Sequence, residues 1–241
     1  LEYTDAVLQV ASEYPDIAFA ILNGDADVPE KATNKNVTSL LPNAQQIGWI
    51  AGALAGLMSE TGTIAFIGGM ELTTTVAKYK GYAEAAKYVA EKDGKSINVL
   101  DAVYANSFDD SSKGIEFANA MMEQNADVFF GDASAVDSGA RQAIDEHNSA
   151  KGKVEVYDIG QPADILGQNE CVIGSQITDN SSLIELSFKA IEEGKFGGEV
   201  LYGDLQNGVL SVGKLSELVP TEKQSVYNEY IEQMKANKFM N

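Results

Sequence analysis

The stretch from Asn36 to Met70, NVTSLLPNAQQIGWIAGALAGLMSETGTIAFIGGM, decides the fold. It reads as strand, turn, helix, turn, strand. NVTSLL (36–41) is the first strand, closed by Pro42 and Asn43, and Asn43 is placed to cap the helix that follows. The helix interior, GWIAGALAGLM (48–58), is apolar on nearly all sides, with small residues at Ala51, Gly52, Ala53, Ala55 and Gly56. A helix that is apolar all round is buried, and small residues let a second backbone come close, so this one lies between layers. TIAFIGG (63–69) is the second strand. Its end, Gly68-Gly69-Met70, puts bare backbone at the carboxyl edge of a sheet, where open α/β folds hold their ligands.

The same alternation runs outward in both directions. Upstream, 3–13 reads as a helix from the shared face of Ala6, Val7, Val10 and Ala11, DIAFAIL (16–22) as a strand, and NGDADVPEKATNK (23–35) as a polar loop. Downstream come a helix at 75–92, a strand at 97–104, a helix at 111–124, a strand at 126–132, a helix at 136–149 and strands at 154–160 and 171–177. A helix at 181–194 closed by Gly194 follows, then short strands near 199–203 and 208–212 and a last helix at 221–237. Repeated strand–helix alternation implies parallel sheets. Thr63 to Val212 holds five or six strands, enough for one complete doubly wound lobe, whereas only two precede it. The expected division is therefore a partial lobe at 1–62, a complete lobe at 63–215 and a C-terminal helix at 216–241 returning to the first lobe.

Composition narrows the function. The formal net charge of −19 opposes nucleic-acid binding, which needs clustered Lys and Arg, and favours a neutral solute over an anion. Cys171 is the one cysteine and His147 the one histidine, so neither an internal disulfide nor a zinc site can be built from this chain. No G-x-S-x-G, P-loop or G-x-G-x-x-G after a strand is present. NGDAD (23–27) lacks the sixth-position glycine and twelfth-position glutamate of a calcium loop and reads as a turn. No apolar run is long enough to span a bilayer.

Parallel strands end on one side, so their tips converge. Those tips carry Met70 after Gly68-Gly69, Asn106-Ser107-Phe108, Phe130 to Ser134 with Asp132, Asp158, and Gln176 with Thr178. A carboxylate there can accept two hydrogen bonds from vicinal hydroxyls, and an aromatic such as Phe130 offers a flat face for a ring. Each has a plainer reading: Phe130 or its neighbour Phe129 as core, Asp158 as a turn cap, Asn106 as a turn residue, Met70 as filler.

The 36–70 stretch, YKGY (79–82), YANSFDDSSKG (104–114) and ADVFF (126–130), in that order, resemble the basic membrane protein family of solute-binding lipoproteins, whose members include purine nucleoside receptors. The resemblance covers most of the chain. It implies a type I periplasmic-binding-protein-like α/β fold of two Rossmann-like lobes, with the start of the first lobe lying outside this sequence and a ligand held between the lobes. It implies a small neutral solute, nucleoside-like, passed to an ABC transporter permease without chemistry or cofactor. It also implies an extracytoplasmic location, anchored to the outer face of the cell membrane by a lipid outside this chain. By the same resemblance Phe130 stacks on the base, Asp158 binds ribose hydroxyls, and Gln46 stands where a polar residue opens the helix of the first lobe. Two departures are visible. The family's glycine-rich A-G-G-T-G-x-G turn is DASAVDSG here, keeping Gly139, and its ribose lysine is replaced near Thr178. Two other readings remain: the effector-sensing domain of a transcriptional regulator, and a hydrolase acting on nucleosides through Asp132 and Asp158.

Overall fold

The computed structural model describes residues 3–239. In chain order its elements are α1 (Thr4–Glu13), β1 (Phe19–Leu22), α2 (Val28–Lys31), β2 (Val37–Pro42), α3 (Ala44–Met58), β3 (Thr63–Gly68), α4 (Thr73–Lys92), β4 (Asn98–Val99), β5 (Val103–Tyr104), α5 (Ser111–Met122), β6 (Val128–Asp132), α6 (Ala135–Lys151), β7 (Tyr157–Gly160), β8 (Val172–Thr178), α7 (Asn180–Glu192), β9 (Val200–Gly203), β10 (Leu210–Val212) and α8 (Thr221–Lys235). The chain forms two compact units, Leu1–Asn43 with Thr178–Ser211, and Ala44–Ile177 with Val212–Asn241. These bounds differ from the breaks expected at 62/63 and 215/216.

In the first unit β1, β2 and β9 make a parallel sheet in that order. The third strand is the informative one. β9 was expected in the lobe at 63–215, yet Leu201 stands opposite Leu40 of β2. The chain returns, so a sheet that looked too small from local sequence acquires its partner from far away. On one face Val7 and Leu8 of α1 pack with Phe19, Ile21 and Val37. The loop at 23–35 contains a helical turn, α2, with Pro29 at its start and Val28 wholly buried. Asp179 caps α7 by accepting from the main-chain N–H groups of Ser181 and Ser182.

The second unit is built on a seven-stranded sheet of order β10-β8-β7-β6-β3-β4, with β5 also paired to β3; the unit bounds fall at the end of β8 and within β10. The strand expected at 97–104 is two short pieces. Ile64 pairs with Val99 but Ile67 with Val103, so one extra residue leaves the ladder as a bulge around Asp101. The two phenylalanines of β6 go to opposite faces, as the pleat requires. Phe129 joins Ile67, Val136, Ile144 and Val172 in the core next to α5 and α6. Phe130 joins Phe66, 5.8 Å away, and Tyr82, 5.5 Å away.

The glycines of α3 act as inferred for a helix between layers. A Cβ on Gly52 would lie 2.2 Å from the Tyr82 carbonyl oxygen of α4, and one on Gly48 would lie 2.1 Å from that of Lys78. α5 and α6 cross in the same manner, with Gly139 against the Ser111 carbonyl. α8 packs on α3, where buried Tyr227 donates from its hydroxyl to the Ile50 carbonyl at 3.2 Å. Both helices belong to the second unit. Trp49, Tyr88, Tyr230 and Phe239 form an aromatic cluster beside this packing. Among the described residues no helix is long and apolar enough to cross a membrane.

Candidate functional site

Main-chain hydrogen bonds knit together the tips of three strands in the second unit. The Gly69 N–H donates to the Asp132 carbonyl at 2.9 Å, Ser107 N–H to the Gly69 carbonyl at 3.1 Å, and Ala135 N–H to the Phe108 carbonyl at 2.9 Å. The glycine pair makes this closeness possible. A Cβ on Gly68 would meet the Tyr104 ring at 2.6 Å, and one on Gly69 would meet the Phe108 ring at 2.4 Å. Phe108 therefore lies on bare backbone at the carboxyl edge, with 38% of its surface still exposed. Met70 is also exposed there. Asn106, at φ 52°, and Ser134, at φ 54°, turn their loops in the left-handed region.

A polar network lies at this edge. The Asp132 carboxylate accepts from Thr75 Oγ1 at 2.9 Å and Lys78 Nζ at 2.8 Å. Lys78 Nζ also donates to Gln161 Oε1 at 3.1 Å, and Gln161 Nε2 donates to the Gly131 carbonyl and, at 3.3 Å, to Asp132 Oδ1. Thr75 and Lys78 are one turn apart on α4, so they share a face and reach the strand end together. Gln161 follows the last residue of β7. The Lys78–Asp132 pair is mostly shielded, its side chains 15% and 22% exposed. An ammonium, a carboxylate, an amide and a hydroxyl thus converge at the carboxyl edge, where Phe108 packs on Gly69. That set can donate to and accept from a polar, uncharged molecule while presenting no uncompensated charge.

The structure brings together some of the expected residues and separates others. Met70, Asn106 and Ser134 lie on the gathered loops, with Asp132 between them. Phe130 is 1% exposed, its ring enclosed by Phe66 and Tyr82. The accessible aromatic on the edge is Phe108. Gln46 is buried in the first turn of α3. Thr178 ends β8 in the other unit.

Asp158 is placed differently from expectation. It does not end its strand. It is the second residue of β7, opposite Phe129, and is 4% exposed. The cause is local. The Asn148 side chain accepts from the Glu155 and Val156 N–H groups and donates to the Val156 carbonyl at 2.8 Å. This takes 155–156 out of the ladder, so the strand starts only at Tyr157 and, ending at Gly160, holds Asp158 in its interior. Asp158 meets Arg141 Nη1 of α6 at 3.3 Å. Burial pushes its carboxyl up to about 6, against the lowering pull of that guanidinium. Asp137, in the first turn of α6, is pushed up to about 7 by burial, with its Oδ2 accepting from the Ala133 N–H at 2.8 Å.

Sequence reading named Asp132 at a strand tip and as half of a hydrolase site, named Phe108 only as a tip residue, and missed Thr75, Lys78 and Gln161. The spacing of Thr75 and Lys78 at the start of a helix after Gly-Gly-Met was a usable signal. Gln161 could have been found only from the register of β7. Among the described residues no cluster of three or more His, Cys, Asp or Glu is arranged to hold a metal.

The chain is similar to known proteins over most of its length. A Borrelia garinii protein, basic membrane protein A2, is 28% identical over 91% of this chain, which spans 63% of that protein. Transcriptional activator protein med of Bacillus subtilis is 27% identical over 92% of this chain, which spans 64% of it. A Pyrococcus furiosus lipoprotein is 30% identical over 67% of this chain and 40% of its own length. Two solved structures share the fold. A transcriptional activator of the comK gene from Bacillus halodurans has a TM-score of 0.80 at 24% identity, over 100% of this chain and 78% of that one. An ABC transporter solute-binding protein from Aeropyrum pernix has a TM-score of 0.75 at 18% identity, over 98% and 73%. Residues 1–241 match the family described as "ABC transporter substrate-binding protein PnrA-like", and the chain belongs to that family.

Proposed function

We propose that this chain is part of a solute-binding protein that holds a small neutral solute, nucleoside-like, reversibly at the carboxyl edge of its larger sheet and delivers it unchanged to an ABC permease. The observation that carries this reading is the Thr75–Lys78–Asp132–Gln161 network at the strand ends, the same edge at which the half-exposed Phe108 ring packs on Gly69. Asp132 and Gln161 supply acceptors for ring hydroxyls, and Lys78 supplies the cation that the sequence lacks near Thr178. Phe108 supplies the stacking face, a contact of about 0.5–1.5 kcal/mol beyond its buried area. The Lys78–Asp132 pair leaves the edge near neutrality, and the net charge of −19 disfavours anions. Relatives named as lipoproteins support an extracytoplasmic site of action, with a lipid tether on the outer face of the cell membrane.

The test is mass spectrometry of small molecules released when the purified protein is denatured. A nucleoside or nucleobase is the expected recovery; an amino acid or a free sugar would remove the proposed ligand class. A second reading, regulation of transcription, is favoured by the activators among its relatives and structural neighbours. The acidic charge makes direct contact with DNA unfavourable, so that role would act through a bound effector. Absence of any effect of the released solute on a reporter, with uptake of the same solute abolished on deletion, would reject it.

A further inference from the structure

We infer that Asp137 is a proton-linked control of the loop that carries Asp132, so that proton uptake and the state of the solute site are coupled. The inference deepens the proposed function and rests on it for its biological use, though not for its physical test.

The geometry is specific. Asp137 lies directly beneath the turn from β6 to α6. Its Oδ2 accepts from the Ala133 N–H at 2.8 Å, and its Oδ1 lies only 2.0 Å from where a Cβ on Gly131 would be. A Cβ at residue 131 would displace the carboxylate from this position. The residue as a whole is half-buried, yet Oδ1 is closed to solvent and makes no hydrogen bond. A buried carboxylate oxygen without a donor destabilises the ionised form.

The surrounding charges offer little relief. From α6 itself, Arg141 is the nearest cation, but its guanidinium is directed to Asp158 Oδ2 and to Ser138 Oγ, each at 3.3 Å. From β7, Asp158 adds a like charge, and from β6, Asp132 adds another. Lys78 partly neutralises Asp132 at 2.8 Å. The remaining wall beside this turn is the α5 crossing, where the Ser111 carbonyl abuts Gly139. Protonation near neutral pH follows from this enclosure, consistent with the upward shift to about 7.

Coupling runs through two contacts. Ionised Asp137 makes a charge-assisted bond to the Ala133 N–H, and protonation weakens that acceptor, loosening the turn between Asp132 and Ser134. In the other direction, a solute that draws Lys78 away from Asp132 exposes Asp137 to an unscreened negative neighbour and raises its proton affinity. By linkage, proton uptake at Asp137 strengthens binding of such a solute by the same factor by which the solute raises the proton affinity.

The test is a pH titration of the intact chain carrying carboxyl-13C aspartate and 15N amides. The Asp137 carboxyl signal should titrate with a midpoint near 7, half protonated there, and the Gly131, Asp132 and Ala133 amide signals should move with the same midpoint. In Asp137→Asn that shared phase should vanish. A midpoint in the ordinary carboxylate range, or loop amides that stay still while Asp137 titrates, would overturn the inference. The wild-type titration decides the matter even if the variant does not fold. Recovery of a solute other than a nucleoside would remove the proposed ligand class and leave this result standing.

Discussion

Replacing Gly52 by alanine tests the packing that positions the site. Gly52 is in the middle of α3, and an added Cβ would lie 2.2 Å from the Tyr82 carbonyl oxygen and 2.9 Å from its Cα. The obstacle is main chain on both sides, so no side chain can rotate away. Restoring an ordinary contact near 3.4 Å requires α4 to retreat by about 1 Å. Alanine in a helix interior gains about 1 kcal/mol over glycine, whereas overpacking a rigid contact costs about 3 kcal/mol at the upper end of its usual range. The net expectation is a loss of about 2 kcal/mol. With a urea slope of roughly 2–3 kcal/mol/M for a chain of this size, the midpoint falls by about 0.7–1 M. Trp49, the only tryptophan, is on α3 and reports the transition by fluorescence. Because α4 also carries Thr75 and Lys78, the same shift lengthens their bonds to Asp132 and should weaken solute binding. A Gly52→Ala protein as stable as wild type would refute the close-contact argument, and with it the account of how α4 is held.

Other substitutions separate core from site. Phe130→Ala should cost about 3–5 kcal/mol in unfolding experiments, as expected for a buried aromatic. Phe108→Ala should leave stability within about 1 kcal/mol and reduce affinity for the solute recovered from the protein; equal stability losses in the two would contradict their different placement. Asp127→Ala removes acceptors for Ser59 Oγ at 2.6 Å and for the Glu60 and Thr61 N–H groups at 2.7 Å, and should cost about 3 kcal/mol by chemical denaturation. For Asp137 and Asp158 the folded values lie above the unfolded ones, so their contribution to stability is complete below about pH 4 and lost as pH rises through about 6 and about 7. Asp137→Asn should therefore narrow the stability difference between pH 5 and pH 8 by about 2–4 kcal/mol; an unchanged difference would show that the carboxylate is not held as described.

Ser134→Gly gives a smaller but cleaner measurement. At φ 54° and ψ −110° the serine occupies a conformation suited to glycine, so the substitution should stabilise by roughly 1 kcal/mol. A loss of stability would mean that the serine side chain compensates for its backbone.

Local rules made much of this protein legible. The apolar run and small residues of 48–58 specified a buried helix, the pleat sent Phe129 and Phe130 to opposite faces, and Gly68-Gly69 marked a strand end with close neighbours. These follow from the amino acids alone, because periodicity and the absence of a Cβ are properties of the chain at each position. What the sequence left open was decided by partners distant along it. β9 joins β2 across more than a hundred intervening residues, Asn148 fixes where β7 begins, and α4 brings Lys78 to Asp132. The difference between Asp158 and Gln161 as an edge residue is a matter of register, and the choice of Phe108 over Phe130 as the accessible ring is one of burial. Register and burial are set by which elements pack together, and that information exists only once the chain has folded.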